Sequence, residues 1–330
     1  MQQTISHSKK NQPQILKIAI WLILFACISM NMVAFTHAYT FTHFTKKAVV
    51  KTKDTRQLSA IEKLKTLLFG INNPRPKNSS LPQQTYETVR LDSYKFIELW
   101  QIQAKGSAKG TVILFHGYSG SKSGMVDKSD EFLKLGYHTL LVDFPGSGGS
   151  EGNQTIIGYK EAAVVKDCYR FLQEKGENTI FLYGTSMGAV AILKAMHDYS
   201  IKPTGLILEC PFGTMYETTV NRFHTMHVPE FPFAPLLVLW GGLQNGFWAF
   251  SHNPVEYALK VQSPTLLMYG EQDEKVSAKE TQDIYQHLNG AKYLVTFKNA
   301  GHENYLNKYK KEWIASVEKF LSNNLSLQQN

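Results

Sequence analysis

Six short runs of almost unbroken apolar residues limit this chain more than any other feature: TVILFHG from Thr111, HTLLVDF from His138, TIFLYG from Thr179, GLILEC from Gly205, TLLMYG from Thr265 and KYLVTF from Lys292. A strand with one solvated face alternates apolar and polar residues. A strand without that alternation must be covered on both faces, as in a parallel sheet between two layers of helices. Helix-like segments lie between the runs, near Met125 to Leu135, Tyr159 to Lys175, Met187 to Tyr199, Ser277 to Leu288 and Tyr305 to Leu321. Ahead of them, Tyr86 to Leu91 and Tyr94 to Gln103 read as a starting antiparallel pair. This order predicts an α/β fold, a three-layer sandwich around a mostly parallel sheet of eight strands. Hydrophobic residues at 43% and charged residues at 19% exclude a disordered or collagen-like chain.

The chain is longer than one such domain needs, and the excess lies at its N-terminus. Residues 15 to 35, ILKIAIWLILFACISMNMVAF, carry only Lys17, Ser29 and Asn31 as clearly polar side chains. As a helix they extend roughly 30 Å, the thickness of a bilayer core. No solvent-facing side exists, which argues for a single-pass membrane anchor over a core helix. A removable signal peptide is the rival reading, with Lys9, Lys10 and Lys17 as its basic region and Thr36-His37-Ala38 as a loose cleavage site. Leu24 to Cys27 also bears some likeness to a bacterial lipoprotein box. Three lysines precede the span and four follow it, so the positive-inside rule sets no orientation.

The formal charge of +8 belongs to this region. Residues 1 to 53 hold seven lysines and no acid, whereas beyond them 28 basic residues face 27 acidic ones. A basic membrane flank accounts for this balance, and no nucleic-acid partner is expected. Arg56 to Phe69 reads as an amphipathic helix that lies on the membrane or packs on the domain. The Pro, Asn and Ser cluster from Asn72 to Gln84 reads as a linker. The expected organisation is an anchor or signal over 1–38, flank and linker over 39–84, a catalytic domain over 85–323 and a polar tail over 324–330. Cys27, Cys168 and Cys210 are too few and scattered for a disulfide framework or a zinc site.

Chemistry enters at Gly184-Thr185-Ser186-Met187-Gly188, which stands between the run TIFLYG and the segment AVAILKAMHDY. A G-x-S-x-G sequence at a strand-to-helix junction is the nucleophile elbow: a sharp turn strains the serine, and only glycine beside it lets the neighbouring backbone approach. A serine hydroxyl is a weak nucleophile near neutral pH and needs a base, which in turn needs an orienting carboxylate. Asp273 follows the run TLLMYG and His302 follows KYLVTF, giving the chain order Ser186, Asp273, His302. Glu209, at the end of GLILEC, is an alternative acid. The backbone N–H groups of Tyr118, in the loop after TVILF, and of Met187 are placed to form an oxyanion hole.

Four signatures in order, HGYSG at 116, DFPGSGGSEG at 143, GTSMG at 184 and the Asp273 with His302 pair, resemble the α/β-hydrolase superfamily of serine hydrolases over residues 85 to 323. Within it they resemble the monoacylglycerol-lipase, lysophospholipase and serine-aminopeptidase-like branch. The resemblance implies a three-layer fold with a cap over about 211–254 and hydrolysis through an acyl-enzyme, with no metal and no cofactor. A serine at position 186 sets the chain apart from the dehalogenase and epoxide-hydrolase chemistries, which carry Asp there. His116 and Asp143 read as loop-holding residues, Cys168 as packing, and His224 with His227 as an exposed helix face. Phe, Met, Trp and Leu between Pro211 and Pro254 read either as plain packing or as an apolar acyl-binding wall. The expected substrate is a small-molecule acyl ester, lipid-like or otherwise hydrophobic. An amide or thioester cleaved by the same triad, or a non-catalytic membrane-tethered module, are the alternatives.

Overall fold

The structure, a computed structural model, describes residues 12–47, 49–52 and 58–326. Lys9, Lys10, Lys53, the expected helix start at Arg56 and the tail beyond 326 lie outside the described residues. Eight strands form one sheet: β1 (Tyr86–Asp92), β2 (Phe96–Ile102), β3 (Thr111–Phe115), β4 (His138–Val142), β5 (Ile180–Thr185), β6 (Gly205–Glu209), β7 (Thr265–Gly270) and β8 (Lys292–Phe297). Their spatial order is β1-β2-β4-β3-β5-β6-β7-β8. β1 with β2 and β2 with β4 run antiparallel, and every later pair is parallel. The α/β sandwich around a mostly parallel sheet of eight strands, expected from the apolar runs, is thus the architecture observed.

The helices are α1 (Gln12–Thr42), α2 (Ala60–Phe69), α3 (Val126–Lys134), α4 (Glu161–Glu174), α5 (Met187–Asp198), α6 (Met215–Met226), α7 (Phe233–Asn245), α8 (Pro254–Ala258), α9 (Ala278–His287), α10 (Tyr305–Lys308) and α11 (Lys310–Ser326). Successive side chains of a strand point to opposite faces, so each central run feeds two cores. Ile113 and Phe115 of β3 join α4, α5 and α9 through Val165, Ile192 and Ile284. Val112 and Leu114 join α3 and α11 through Phe132, Trp313 and Phe320. Each fully buried side chain of this kind contributes about 1.5–3 kcal/mol, which is why the runs tolerate no polar alternation. The C-terminal helix expected as one piece is broken at Tyr309, whose φ of −126° and ψ of 45° leave the helical region.

The N-terminal excess differs from its expected form. Helix α1 does not stop with the apolar stretch at residue 35 but continues to Thr42, about 46 Å in all. Its first part exposes Ile15, Leu16, Trp21, Ile23, Phe25 and Ile28, while Ala34, Ala38 and Thr42 are buried. The buried part lies on α7: Trp240 Nε1 donates to Asn31 Oδ1 (3.1 Å), Gln244 Nε2 to the Phe35 carbonyl (2.8 Å), and the rings of Phe35 and Trp240 meet edge to face at 5.3 Å.

The stretch expected as a linker is also built in. Arg75 spreads its guanidinium over the glycine-rich loop after β4, donating to the carbonyls of Ser147, Gly148, Ser150 and Gly152. Asn78 donates to Asp143 Oδ2 (2.9 Å). Pro and Asn remove regular structure from this segment, but long-range hydrogen bonds fix it all the same. A chain starting at residue 39 lacks Phe35 and Ala38, and uncovers Trp240. It is expected to melt several degrees below the full chain in the same detergent, at about 2–4 °C per kcal/mol lost. Equal melting temperatures would show that the α1–α7 contact adds nothing to stability.

Candidate active site

β5 ends at Thr185 and α5 begins at Met187, leaving Ser186 as the single residue of the turn. Its φ of 53° and ψ of −114° are strained for a residue with a side chain, at a cost of about 1–3 kcal/mol. The glycines beside it are sterically required. A Cβ on Gly184 would stand 2.6 Å from the Ala189 nitrogen, and one on Gly188 would stand 2.3 Å from the Phe115 carbonyl. Ser186 N–H is anchored on the Glu209 carbonyl at 2.7 Å.

The residues expected as base and acid converge on this serine. His302 Nε2 lies 3.1 Å from Ser186 Oγ, and His302 Nδ1 lies 2.7 Å from Asp273 Oδ2. Asp273 Oδ1 accepts the backbone N–H groups of Lys275 (2.8 Å) and Val276 (3.0 Å), so the carboxylate is held from behind. An ionised carboxylate only accepts, which places the imidazole proton on Nδ1 and leaves Nε2 free to accept from the serine. Glu209 is turned elsewhere: Trp313 Nε1 donates to one oxygen (2.6 Å) and Thr185 Oγ1 to the other (3.3 Å). Burial works to lower the pKa of His302, but the adjacent Cys210 and the Asp273 carboxylate outweigh it and hold the pKa above the usual 6.5.

Cys210, Asp273 and His302 offer three donor atoms within 4.8 Å of one another. Asp273 Oδ1 already serves two amides, and both imidazole nitrogens serve Asp273 and Ser186, so the cluster is committed to its own hydrogen-bond chain. In sequence Cys210 is only a scattered cysteine. Its approach to His302 depends on the left-handed φ of 42° after β6, which leaves no local sequence pattern.

Gly117 brings the loop after β3 against the elbow, since a Cβ there would lie 3.5 Å from Ser186 Cβ. Among the described residues, neither Tyr118 N–H nor Met187 N–H has a protein acceptor. The Tyr118 ring is fixed by α1. It stacks on Phe41 at 4.4 Å, its hydroxyl donates to the Phe41 carbonyl (2.7 Å), and Asn73 Nδ2 donates to it (2.8 Å). His116 is neutral in its buried loop: Nε2 accepts from Phe144 N–H, so Nδ1–H donates to the Gly117 carbonyl (2.8 Å).

Asp143 holds the neighbouring turn as expected, taking Lys122 N–H (2.7 Å) and Gly149 N–H (2.9 Å). It also pairs with Lys122 Nζ, a fully buried ammonium that the sequence does not advertise. Burial alone would raise the Asp143 pKa, and the Lys122 charge overcomes this and lowers it. Cys168 is buried within α4. His224 meets Glu230 on the surface, and His227 closes α6 in a left-handed conformation.

A cavity of about 550 Å³ opens beside Tyr118. Helices α6 and α7 of the cap supply one side of it, and α1 and α2 supply the other, through residues such as Ala34, Phe41, Leu64, Phe223, Phe233 and Leu237. Lys275 and Thr225 line both this cavity and a second space that reaches His302.

An eight-stranded sheet of this order, with a strained serine after β5 and a His and an Asp after the last two strands, defines an α/β-hydrolase. The comparisons agree. A family model described as serine aminopeptidase, S33, matches residues 106–240. The uncharacterized protein YqkD of Bacillus subtilis (strain 168) is 27% identical over 217 residues, 64% of this chain and 71% of that one. The lysophosphatidylserine lipase ABHD12 of Danio rerio is 25% identical over 200 residues, 56% of this chain and 49% of that one. This chain therefore matches only about half the length of that lipase. Among solved structures, the Pyrococcus furiosus esterase Pf2001 has the same fold, with a TM-score of 0.64, 24% identity, and coverage of 76% of this chain and 96% of that one. The chain is an α/β-hydrolase related to the S33 serine aminopeptidases and to lysophosphatidylserine lipases, with an apolar N-terminal helix.

Two outcomes follow from this geometry. Because only neutral His302 accepts a proton, kcat/KM is expected to rise with pH through an ionisation above 6.5; a pH–rate profile whose acid limb lies at or below 6.5 contradicts this. Tyr118→Phe removes the hydroxyl that ties the loop to Phe41 and Asn73. It should lower kcat about ten-fold with KM little changed, equal to roughly 1.4 kcal/mol of transition-state stabilisation.

Proposed function

We propose that the protein is a membrane-associated serine hydrolase that cleaves a carboxylic ester with a lipid-like or otherwise hydrophobic acyl group. His302 takes the Ser186 proton as Oγ attacks the carbonyl carbon, and Asp273 holds the imidazole tautomer and stabilises the imidazolium. The N–H groups of Tyr118 and Met187 receive the developing oxyanion, assisted by the N-terminal dipole of α5. His302 then protonates the leaving group and activates water to release the acyl chain. No step calls on a metal or cofactor.

The observation that carries this reading is the continuous hydrogen-bonded chain from Ser186 Oγ through His302 to Asp273, ending at a serine in a strained turn. The mainly apolar cavity supports a hydrophobic substrate, as do relatives described as lipases and esterases. Among the described residues no Asp or Glu lines the cavity, and Glu217, within the cap, is engaged by Thr214. A peptide substrate with a free amino terminus would find no carboxylate there, which favours an ester over aminopeptidase activity. The contacts of Asn31 and Phe35 with α7 and the burial of Ala34 and Ala38, which a cut near residue 38 would remove, support a retained single-pass anchor over a cleaved signal. In this reading the catalytic unit is 85–323 with its cap at about 211–254, completed by packing from the 39–84 segment.

Labelling with a serine-reactive fluorophosphonate, together with rates on p-nitrophenyl esters of increasing acyl length, tests the proposal. The wild type should label and turn over medium or long acyl chains. Ser186→Ala should abolish labelling and lower kcat by several orders of magnitude, and Asp273→Asn should lower it by about 10⁴. Unchanged turnover in Ser186→Ala would remove the assignment, and a well-folded wild type that does not label would favour a non-catalytic binding module.

A further inference from the structure

Helix α6 of the cap faces two ways. Thr219, Arg222, Phe223 and Met226 line the cavity, whereas Asn221 and Thr225 reach the backbone that follows Asp273. Asn221 Nδ2 donates to the Lys275 carbonyl (3.3 Å) and to Glu280 Oε2 (2.8 Å), which spends both hydrogens of its amide nitrogen. One turn later the Thr225 hydroxyl, which also reaches the Asn221 carbonyl (2.8 Å), lies 3.4 Å from the Glu274 carbonyl. The other side of this backbone holds the triad acid, because Lys275 N–H (2.8 Å) and Val276 N–H (3.0 Å) both donate to Asp273 Oδ1.

A trans peptide unit is planar, and its C=O and N–H point in opposite directions. The unit that joins Lys275 to Val276 therefore takes Asn221 on its oxygen and presents its hydrogen to Asp273. The unit that joins Glu274 to Lys275 stands in the same way between Thr225 and Asp273. Two rigid plates thus bridge one helix of the cap to one carboxylate oxygen. A hydrogen bond on each carbonyl also polarises its unit and strengthens the N–H as a donor. Glu280 fixes the sense of the Asn221 amide, since a carboxylate only accepts. It is buried, and it takes Asn221 Nδ2, Ser277 N–H (2.8 Å) and, where the chain enters the cap, Gly213 N–H (3.0 Å).

We propose that Asn221, supported one turn later by Thr225, is a positioning residue of the cap that acts through the 274–276 backbone to hold the Asp273 carboxylate against His302. The helix that forms part of the cavity wall then also sets the acid of the triad, so the cap belongs to the catalytic machinery and is more than a cover over it. The effect reaches the base as well. Burial lowers the His302 pKa, and Cys210 and the Asp273 carboxylate raise it past the usual 6.5, so a carboxylate held less firmly gives up part of that rise. The inference rests on the hydrolase reading and adds to it two residues that touch neither Ser186 nor His302. It is read out through the ionisation of His302, which a purely structural contact in the cap does not move.

The test is the pH dependence of kcat and kcat/KM for the full-length protein in a neutral detergent, with a p-nitrophenyl ester as substrate. Asn221→Leu keeps the size of the side chain and removes both donors. It is expected to move the acid limb of kcat/KM down by about one pH unit and to lower kcat about ten-fold, with KM changing less. Asn221→Gln retains the donor nitrogen and should recover part of both. Thr225→Val should shift the limb the same way by a smaller amount, and it decides the matter if Asn221→Leu does not fold. His224→Ala, which loses only a surface contact with Glu230 on the same helix, should leave the limb in place. A folded Asn221→Leu with the wild-type limb, or with a lower kcat and an unmoved limb, overturns the positioning role. So does an unmoved limb in Thr225→Val where the Leu variant is lost. A wild type that neither labels with fluorophosphonate nor turns over removes the hydrolase reading itself, whereas an active, labelling wild type beside unmoved variants removes the positioning role alone.

Discussion

Everything near Ser186 depends on how little room separates β5, Ser186 and α5 from the end of β3. With the Phe115 carbonyl 2.3 Å from where a Cβ on Gly188 would stand, the helix can lie against the sheet only if that residue has no side chain. This close approach forces the reversal into one residue and puts Ser186 at φ 53°. The same approach aims the first turn of α5, whose N–H groups have no intrahelical partner, at the space above the serine. The strain at Ser186, its partial exposure and the free N–H groups above it are thus one packing fact. The two buried cores on either side of the sheet supply the stability that sustains it.

Polar groups do a second kind of holding. Lys122 and Asp143 are both removed from water, and the pair is surrounded by further partners: Glu98 on the ammonium at 2.7 Å, the Trp100 ring at 4.4 Å, and the N–H groups of Lys122 and Gly149 on the carboxylate. Such a pair adds little net stability over an apolar substitute, yet removing one member leaves an uncompensated charge at a cost of about 3–5 kcal/mol. It acts here as a fixed point for the loops after β3 and β4, and Arg75 secures the carbonyls of the second loop from outside. The loop that carries Tyr118 is thereby held on one side by the sheet and on the other by Asn73 and Phe41.

The sheet and the three residues now found in hydrogen-bond contact were legible because each leaves a local mark. Unbroken apolar runs announce strands, buried in β5 and β7 but only partly covered in the edge strand β8, and Ser186, Asp273 and His302 each follow such a run. The contributions of Asn73, Arg75 and Lys122 were not legible: their hydrogen bonds reach 45, about 75 and 21 residues along the chain, and the segments that carry them have no periodicity. Pro and Asn between 72 and 84 signalled only the lack of helix and strand, and an irregular segment can still be rigid. Glu209 stood as the alternative to Asp273, and its engagement by Trp313, a hundred residues later in the chain, has no local mark in sequence.

Helix α1 shows why the N-terminal boundary could not be read from composition. A side chain that faces lipid and one that faces a protein core are both apolar, so Ile23 and Ala34 look alike in sequence although the first is exposed and the second buried. The distinction lies in side-chain size. Residues of α1 that meet the cap or the cavity include Ala34, Ala38 and Thr42, which permit close approach, whereas the exposed stretch is dominated by Ile, Leu, Phe and Trp. A helix of about 46 Å exceeds a bilayer core of about 30 Å by roughly three turns. Those turns are the ones that carry Phe41 to Tyr118 and close one side of the cavity. The exposed apolar stretch and the side of the cavity that α1 forms therefore belong to one continuous helix.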